Sequence, residues 1–180
     1  VIGGNLHCHP TMAVLANGAS AHALDFDDFI PALGHASTIL VSIGLALGEE
    51  LDLDGRVILD AYVLAVEGGA KIAAAMVPGH RNAGWHPTGT IGTIAAAAMA
   101  ARLLRLNRSQ IGATMALAAS QAAGMLRNMG SMVKPFHAGN AARSGLTAAL
   151  LAQKGFSGAQ EIFEGPLGFC SLYGGRGEEL

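Results

Sequence analysis

Small residues recur at helical spacing in this chain. Gly92, Ala96 and Ala100 fall on one helical face, which would let a neighbouring helix come close. Aromatic residues make up only 5% of the composition, while hydrophobic residues reach 51%. A core must therefore be filled by Ala, Leu, Ile, Val and Met, and that favours helix against helix. No alternating pattern of strand length interrupts the chain. The sequence reads as all-α, a helical bundle-like domain, and its 180 residues suit one domain.

Helix start and stop signals divide it further. Pro10-Thr11 opens a helix over Met12 to Leu24, with Pro near the first turn. Asp25 to Gly34 is an acid-rich loop. Ser37 caps a second helix to about Glu50. The Asp52-Leu53-Asp54-Gly55 turn leads to a third helix ending near Val77, with Glu67 and Lys71 as an i,i+4 pair. Pro78 to Pro87 reads as a loop, and Thr88 caps a fourth helix to about Leu106. Asn107 or Ser109 caps a fifth, ending near Gly124. Arg127 to Lys134 is a loop, and Pro135 begins a sixth helix that stops at Lys154-Gly155. A short helix is expected from Ala159 to Phe163.

Composition excludes several classes. A net charge of −2 and a pI near 6.4 argue against a nucleic-acid partner, which would call for a basic excess. The mean hydropathy of +0.40 raises the question of a membrane span. The two long uncharged stretches, Asn82 to Ala101 and Ser109 to Leu126, carry too many Gly, Thr, Ser and Gln residues to be one. No basic segment leads into an apolar one at the start, so no signal peptide is read and a cytoplasmic location is expected. The chain opens on Val1-Ile2-Gly3 without an initiator Met, and it is read as part of something longer. Its two cysteines, Cys8 and Cys170, are far apart and make neither a disulfide framework nor an iron–sulfur site. His7-Cys8-His9 lacks a fourth ligand nearby, and Gly68-Gly69-Ala70-Lys71 lacks the full pattern of a phosphate loop.

Chemistry concentrates at helix ends. Asp25, Asp27 and Asp28 follow a helix C-terminus, where negative charge is unfavourable. Lys134 stands at a helix N-terminus, where positive charge is unfavourable. His35 and His86 each precede a helix start, a setting that favours neutral, proton-accepting imidazole. The plain alternatives are solvated turn aspartates, surface histidines and a solvated lysine. Carboxylate, imidazole and ammonium together are also what proton transfer beside a carboxylate requires.

Four blocks carry a resemblance. Asn17-Gly18 precedes His22-Ala23-Leu24-Asp25-Phe26-Asp27-Asp28. Gly34-His35 follows, then Gly84-Trp85-His86-Pro87-Thr88-Gly89. Lys134-Pro135-Phe136-His137-Ala138-Gly139-Asn140-Ala141-Ala142 completes the set. In order and spacing, from about Pro10 to Gly175, the chain resembles the MmgE/PrpD family of 2-methylcitrate dehydratases, cis-aconitate decarboxylases and iminodisuccinate epimerases.

The resemblance implies that residues 1–180 are part of the N-terminal all-α domain of a two-domain protein whose α+β lid is absent here. It implies a homodimer that needs no metal and no cofactor. The family's acidic residue falls on Asp25, its two histidines on His35 and His86, and its lysine on Lys134, all as catalytic residues. Asp28, Thr88 and His137 are read as substrate contacts. The implied activity is that of a lyase on a small di- or tricarboxylate, with dehydration of a 2-methylcitrate-like acid leading. Decarboxylation and epimerisation stay open, and a non-catalytic helical dimerisation module is the alternative from another class. Two positions depart from the family pattern. Asp27-Asp28-Phe29 stands where dehydratases and decarboxylases often read Asp-Asp-Thr, and His35-Ala36-Ser37 where many read His-Pro-Ser.

Overall fold

A computed structural model describes residues 1–174; Gly175 and the residues after it lie outside the described residues. Helices α1 (Pro10–Ala21), α2 (Ala36–Leu51), α3 (Gly55–Met76), α4 (Gly79–Asn82), α5 (Pro87–Leu103), α6 (Arg108–Ala119), α7 (Val133–Gln153) and α8 (Phe169–Leu172) follow in chain order. Among the described residues strand pairing is confined to isolated bridges, Ile30 with Gly34 and Trp85 with Met125. The fold is all-α.

Helix α5 is the axis of the domain. It carries Ala, Ile, Thr and Gly on every side, and almost all of it is buried. A helix apolar all round has no solvent face, so its neighbours must cover it from every direction. Helices α2, α3, α6 and α7 do so, and α1 packs on α7 and α2. Buried Thr90 and Thr93 return their hydroxyl protons to the carbonyls of His86 and Gly89, so no polar group on the axis is left without a partner.

The small residues fix how these helices lie. Gly92 on α5 sits against Ile39 of α2 and Ala141 of α7, and Gly145 on α7 meets Ala96 and Ala97 of α5. Gly44 of α2 in turn meets Met99 of α5, so pairs advance together along the three helices and α2, α5 and α7 run parallel. Gly18 on α1 faces Gly139 on α7 with the backbones nearly touching. The C-terminal end of α1 stands beside the start of α7, so these two run antiparallel. A Cβ at Gly145 would come within 2.6 Å of the Ala97 amide nitrogen. Gly145→Ala is therefore expected to lower the unfolding free energy by about 1–3 kcal/mol in urea titrations. Gly68→Ala, mid-helix with nothing within 4 Å, should instead raise it by roughly 0.5–1 kcal/mol.

Several helix ends differ from the sequence reading. Helix α1 stops at Ala21 with His22 in the cap position, and Asp25 then turns the chain in a left-handed conformation (φ 59°). Helix α2 begins at Ala36 with His35 in the cap position, and Ser37 lies inside it. Its cap comes from outside: the Ser37 amide donates to Asp28 Oδ1 at 3.0 Å. Helix α5 starts at Pro87, where a missing amide proton costs nothing, so Thr88 is not the cap. Asn107, not Ser109, caps α6 in a reciprocal box with Gln110, and α6 ends at Ala119. The expected loop from Pro78 contains the single turn of α4, and α7 starts at Val133, ahead of Pro135. Residues 159–163 are not helical; the last turn forms at Phe169–Leu172, where Phe169 and Cys170 are buried and Phe169 stacks on Tyr173. The Glu67–Lys71 pair forms at 3.5 Å on the exposed face of α3.

Candidate active site

Parallel packing brings the starts of α2, α5 and α7 to one end of the domain. Three positive helix ends meet there, a setting that favours anions. The link is direct between two of them: the His35 amide donates to Thr88 Oγ1 at 3.2 Å. Gly34, with φ +89°, takes the chain past Thr88 so closely that no side chain fits.

A cleft of about 420 Å³ opens at this end. His35, His86, Thr88 and Lys134 line it, so three of the four expected catalytic residues and one expected substrate contact share one cavity. Asp25 stands on the far side of Lys134, in a shallower depression it shares with His22, and its Oδ1 accepts a hydrogen bond from the Lys134 ammonium. This pair answers both unfavourable charges at once: the carboxylate at the end of α1 meets the ammonium at the start of α7. Asp28 does not line the cleft, because its carboxylate caps α2. His137 does not line it either and lies behind His86.

The acid-rich loop folds into a network with the histidines. His22 is fully buried, and its Nδ1 reaches both oxygens of Asp27 at 2.9 Å. His35 stacks obliquely on His22, with ring centres 4.4 Å apart. Its Nε2 lies 3.6 Å from Asp25 Oδ1 and its Nδ1 lies 3.2 Å from Asp27 Oδ2. The hydrogen bond from Lys134 holds the Asp25 carboxyl below the usual carboxylate range, and the charges of Lys134, His35 and His22 add to it. Ligand atoms of His22, Asp25, Asp27 and His35 lie within 4.8 Å of one another, so this donor set could surround a divalent ion. Lys134 already supplies positive charge at Asp25.

His86 occupies the cap position of α5 and is only 2% exposed. Burial, then the neighbouring His137, His22, Lys134 and His35, push its pKa down to about 3. Burial also lowers the pKa of His137 and of His80. His86 is thus a neutral imidazole at any physiological pH and can accept a proton.

Four residues near this end were not singled out as site residues from sequence. His22 and Asp27 lie in the same block as Asp25, and the i,i+3 spacing of His22 and Asp25 was the available signal. His80 and Arg81 line the cleft from the turn of α4, a stretch that sequence alone reads as loop. The remaining wall is apolar, with Phe29, Val77, Ile91 and Met129 among its residues.

This all-helical domain, with imidazole and ammonium on one helix-end cleft and a carboxylate beside it, comes from a sequence that matches a known family. The model of the MmgE/PrpD N-terminal domain covers residues 1–178, and the chain belongs to that family. It is 30% identical to a cis-aconitate decarboxylase of Homo sapiens, over 91% of this chain and 35% of that protein. It is 31% identical to a cis-aconitate decarboxylase of Aspergillus terreus, over 99% of this chain and 39% of that protein. A cis-aconitate decarboxylase-like protein, oryM of Aspergillus oryzae, is 31% identical over 96% of this chain and 38% of its own length. The chain thus spans little more than a third of the length of these curated relatives. No helix among the described residues is long and apolar enough to cross a membrane.

Proposed function

We propose that the protein containing this domain is a lyase for a small di- or tricarboxylate, and that it works by moving a proton beside a carboxylate. The observation that carries this reading is a neutral, buried His86 on the same cleft as Lys134 and His35. A neutral imidazole removes the proton from the carbon next to a carboxylate, and Lys134 holds that carboxylate and the charge that develops on it. Asp25 accepts a hydrogen bond from the Lys134 ammonium and holds it in place. In a dehydration, His35 gives its proton to the departing hydroxyl, which leaves as water while the electron pair from the C–H bond forms the alkene.

Dehydration of a 2-methylcitrate-like hydroxy acid is the leading form of this reading. Phe29, Val77, Ile91 and Met129 offer an apolar wall for an alkyl group. Decarboxylation of a cis-aconitate-like acid is the second form, favoured by the names of the relatives. The test is to incubate the full-length protein, in buffer treated with a chelator, with 2-methylcitrate, citrate and cis-aconitate, and to follow each by NMR. Conversion of 2-methylcitrate to an unsaturated tricarboxylate with release of water is expected. Release of carbon dioxide from cis-aconitate instead would select the second form. Turnover of none of these acids would overturn the reading.

A further inference from the structure

Behind the cleft, the rings of His86 and His137 meet through the same kind of atom. Nδ1 of one lies 2.9 Å from Nδ1 of the other, both residues are buried, and the ring centres are 5.2 Å apart. Neither nitrogen has another hydrogen-bond partner among the described residues. Two nitrogens at this distance hold one proton between them, so one ring donates and the other accepts. The two imidazoles must therefore be opposite tautomers. The backbone is built around the contact: the His86 amide donates to Gly124 O at 3.0 Å, and a Cβ on Gly124 would lie 3.5 Å from the His137 ring.

The direction follows from the cleft. His86 lines it while its Nδ1 is turned away toward His137, so Nε2 is the nitrogen left to face a substrate. A base there needs its lone pair on Nε2 and its proton on Nδ1. We propose that His137 is the positioning residue that fixes this tautomer of His86, accepting its Nδ1–H and relaying the proton away from the cleft. This rests on the reading of His86 as the base. It differs from the expectation that His137 touches substrate.

The step balances. His86 Nε2 takes a proton from substrate carbon, and the C–H electron pair stays with the substrate. The Nδ1–H proton of His86 passes to His137 Nδ1. His137 then gives up its Nε2 proton to water, and both rings end neutral with tautomers exchanged; the reverse transfers restore them. Lys134 and His137 face His86 from α7, His22 from the end of α1, and His35 from the start of α2, with Asp25 and Asp27 bonded to Lys134 and His22. The positive members of this set discourage a lasting charge on either ring, which is why a proton taken up must be handed on.

Nitrogen-15 histidine spectra of the full-length protein test this without needing turnover. In the wild type, His86 should show a protonated Nδ1 and bare Nε2, and His137 a bare Nδ1 and protonated Nε2, with signals assigned by loss in single variants. His137→Phe removes the acceptor and should move the His86 proton to Nε2. It should also cut kcat/KM roughly a hundredfold on whichever acid is turned over. His137→Asn keeps an oxygen where Nδ1 stood and should retain the wild-type tautomer of His86, but an amide cannot pass a proton on, so kcat/KM should still fall roughly tenfold or more. A wild-type His86 protonated at Nε2, or a His86 tautomer unmoved by His137→Phe, would overturn the proposal. If His137→Phe does not fold, the wild-type and His137→Asn spectra decide it. Spectra as expected in a protein that turns over none of the acids would leave the pair standing and sink the lyase reading instead.

Discussion

Lys134→Met is expected to cut kcat/KM of the full-length enzyme by at least about a hundredfold, or roughly 2.7 kcal/mol of transition-state stabilisation, with little change in stability. Methionine keeps most of the apolar stem and removes the charge. The charge has two opposite effects on folding. At the start of α7 it opposes the helix dipole, an unfavourable effect of roughly 0.3–1 kcal/mol. It also pairs with Asp25, but that carboxylate is 55% exposed and water can replace the ammonium there. Pairs of this kind contribute about 0–1 kcal/mol, so the two effects nearly offset. Steady-state kinetics beside urea unfolding separates the outcomes. A variant that unfolds much more easily with activity intact would mark Lys134 as structural, and the charge argument for the cleft would fail with it.

Acid should destabilise this domain well before its carboxylates titrate. Burial holds the folded-state pKa values of His80, His86 and His137 below the ordinary histidine value, to about 3 for His86. An unfolded chain binds protons at these residues near pH 6.5. Between the two pKa values the unfolded state binds more protons, so stability rises with pH across that window and is lost as pH falls below about 6.5. Each histidine contributes up to about 1.4 kcal/mol per pH unit. Urea midpoints should therefore drop steeply from pH 7 to pH 5. His86→Gln should flatten the slope by one histidine's share. A stability constant over this range would mean that these imidazoles are solvated in the folded protein.

The chain's own pattern determined the helices, because a helix closes its hydrogen bonds locally. Alanine-rich apolar runs, prolines in first turns and glycine stops needed no partner to be read, and six long helices appear where those signals stand. The absence of strand periodicity and the scarcity of aromatic residues were enough for the all-α class. The two charges at the wrong helix ends, Asp25 and Lys134, were legible as needing compensation. Their compensating each other was not, because 109 residues separate them and only the antiparallel packing of α1 on α7 joins them.

Tertiary structure decided everything that depends on which helices lie side by side. Sequence placed caps at Ser37 and Thr88, since a hydroxyl before a helix is the ordinary local solution. The folded chain instead caps α2 with Asp28 from its own preceding loop, and uses Thr88 to bind the His35 amide across two helices. It turned His137 toward His86 and away from the cleft, and brought His80 and Arg81 to the rim on a turn too short to announce itself. The physical reason is the close contact at Gly92, Gly139 and Gly145. Where glycine meets glycine or alanine, backbones approach until a single methyl would clash. That contact sets the relative height of α1, α5 and α7, and with it which ends, and which side chains, share a pocket.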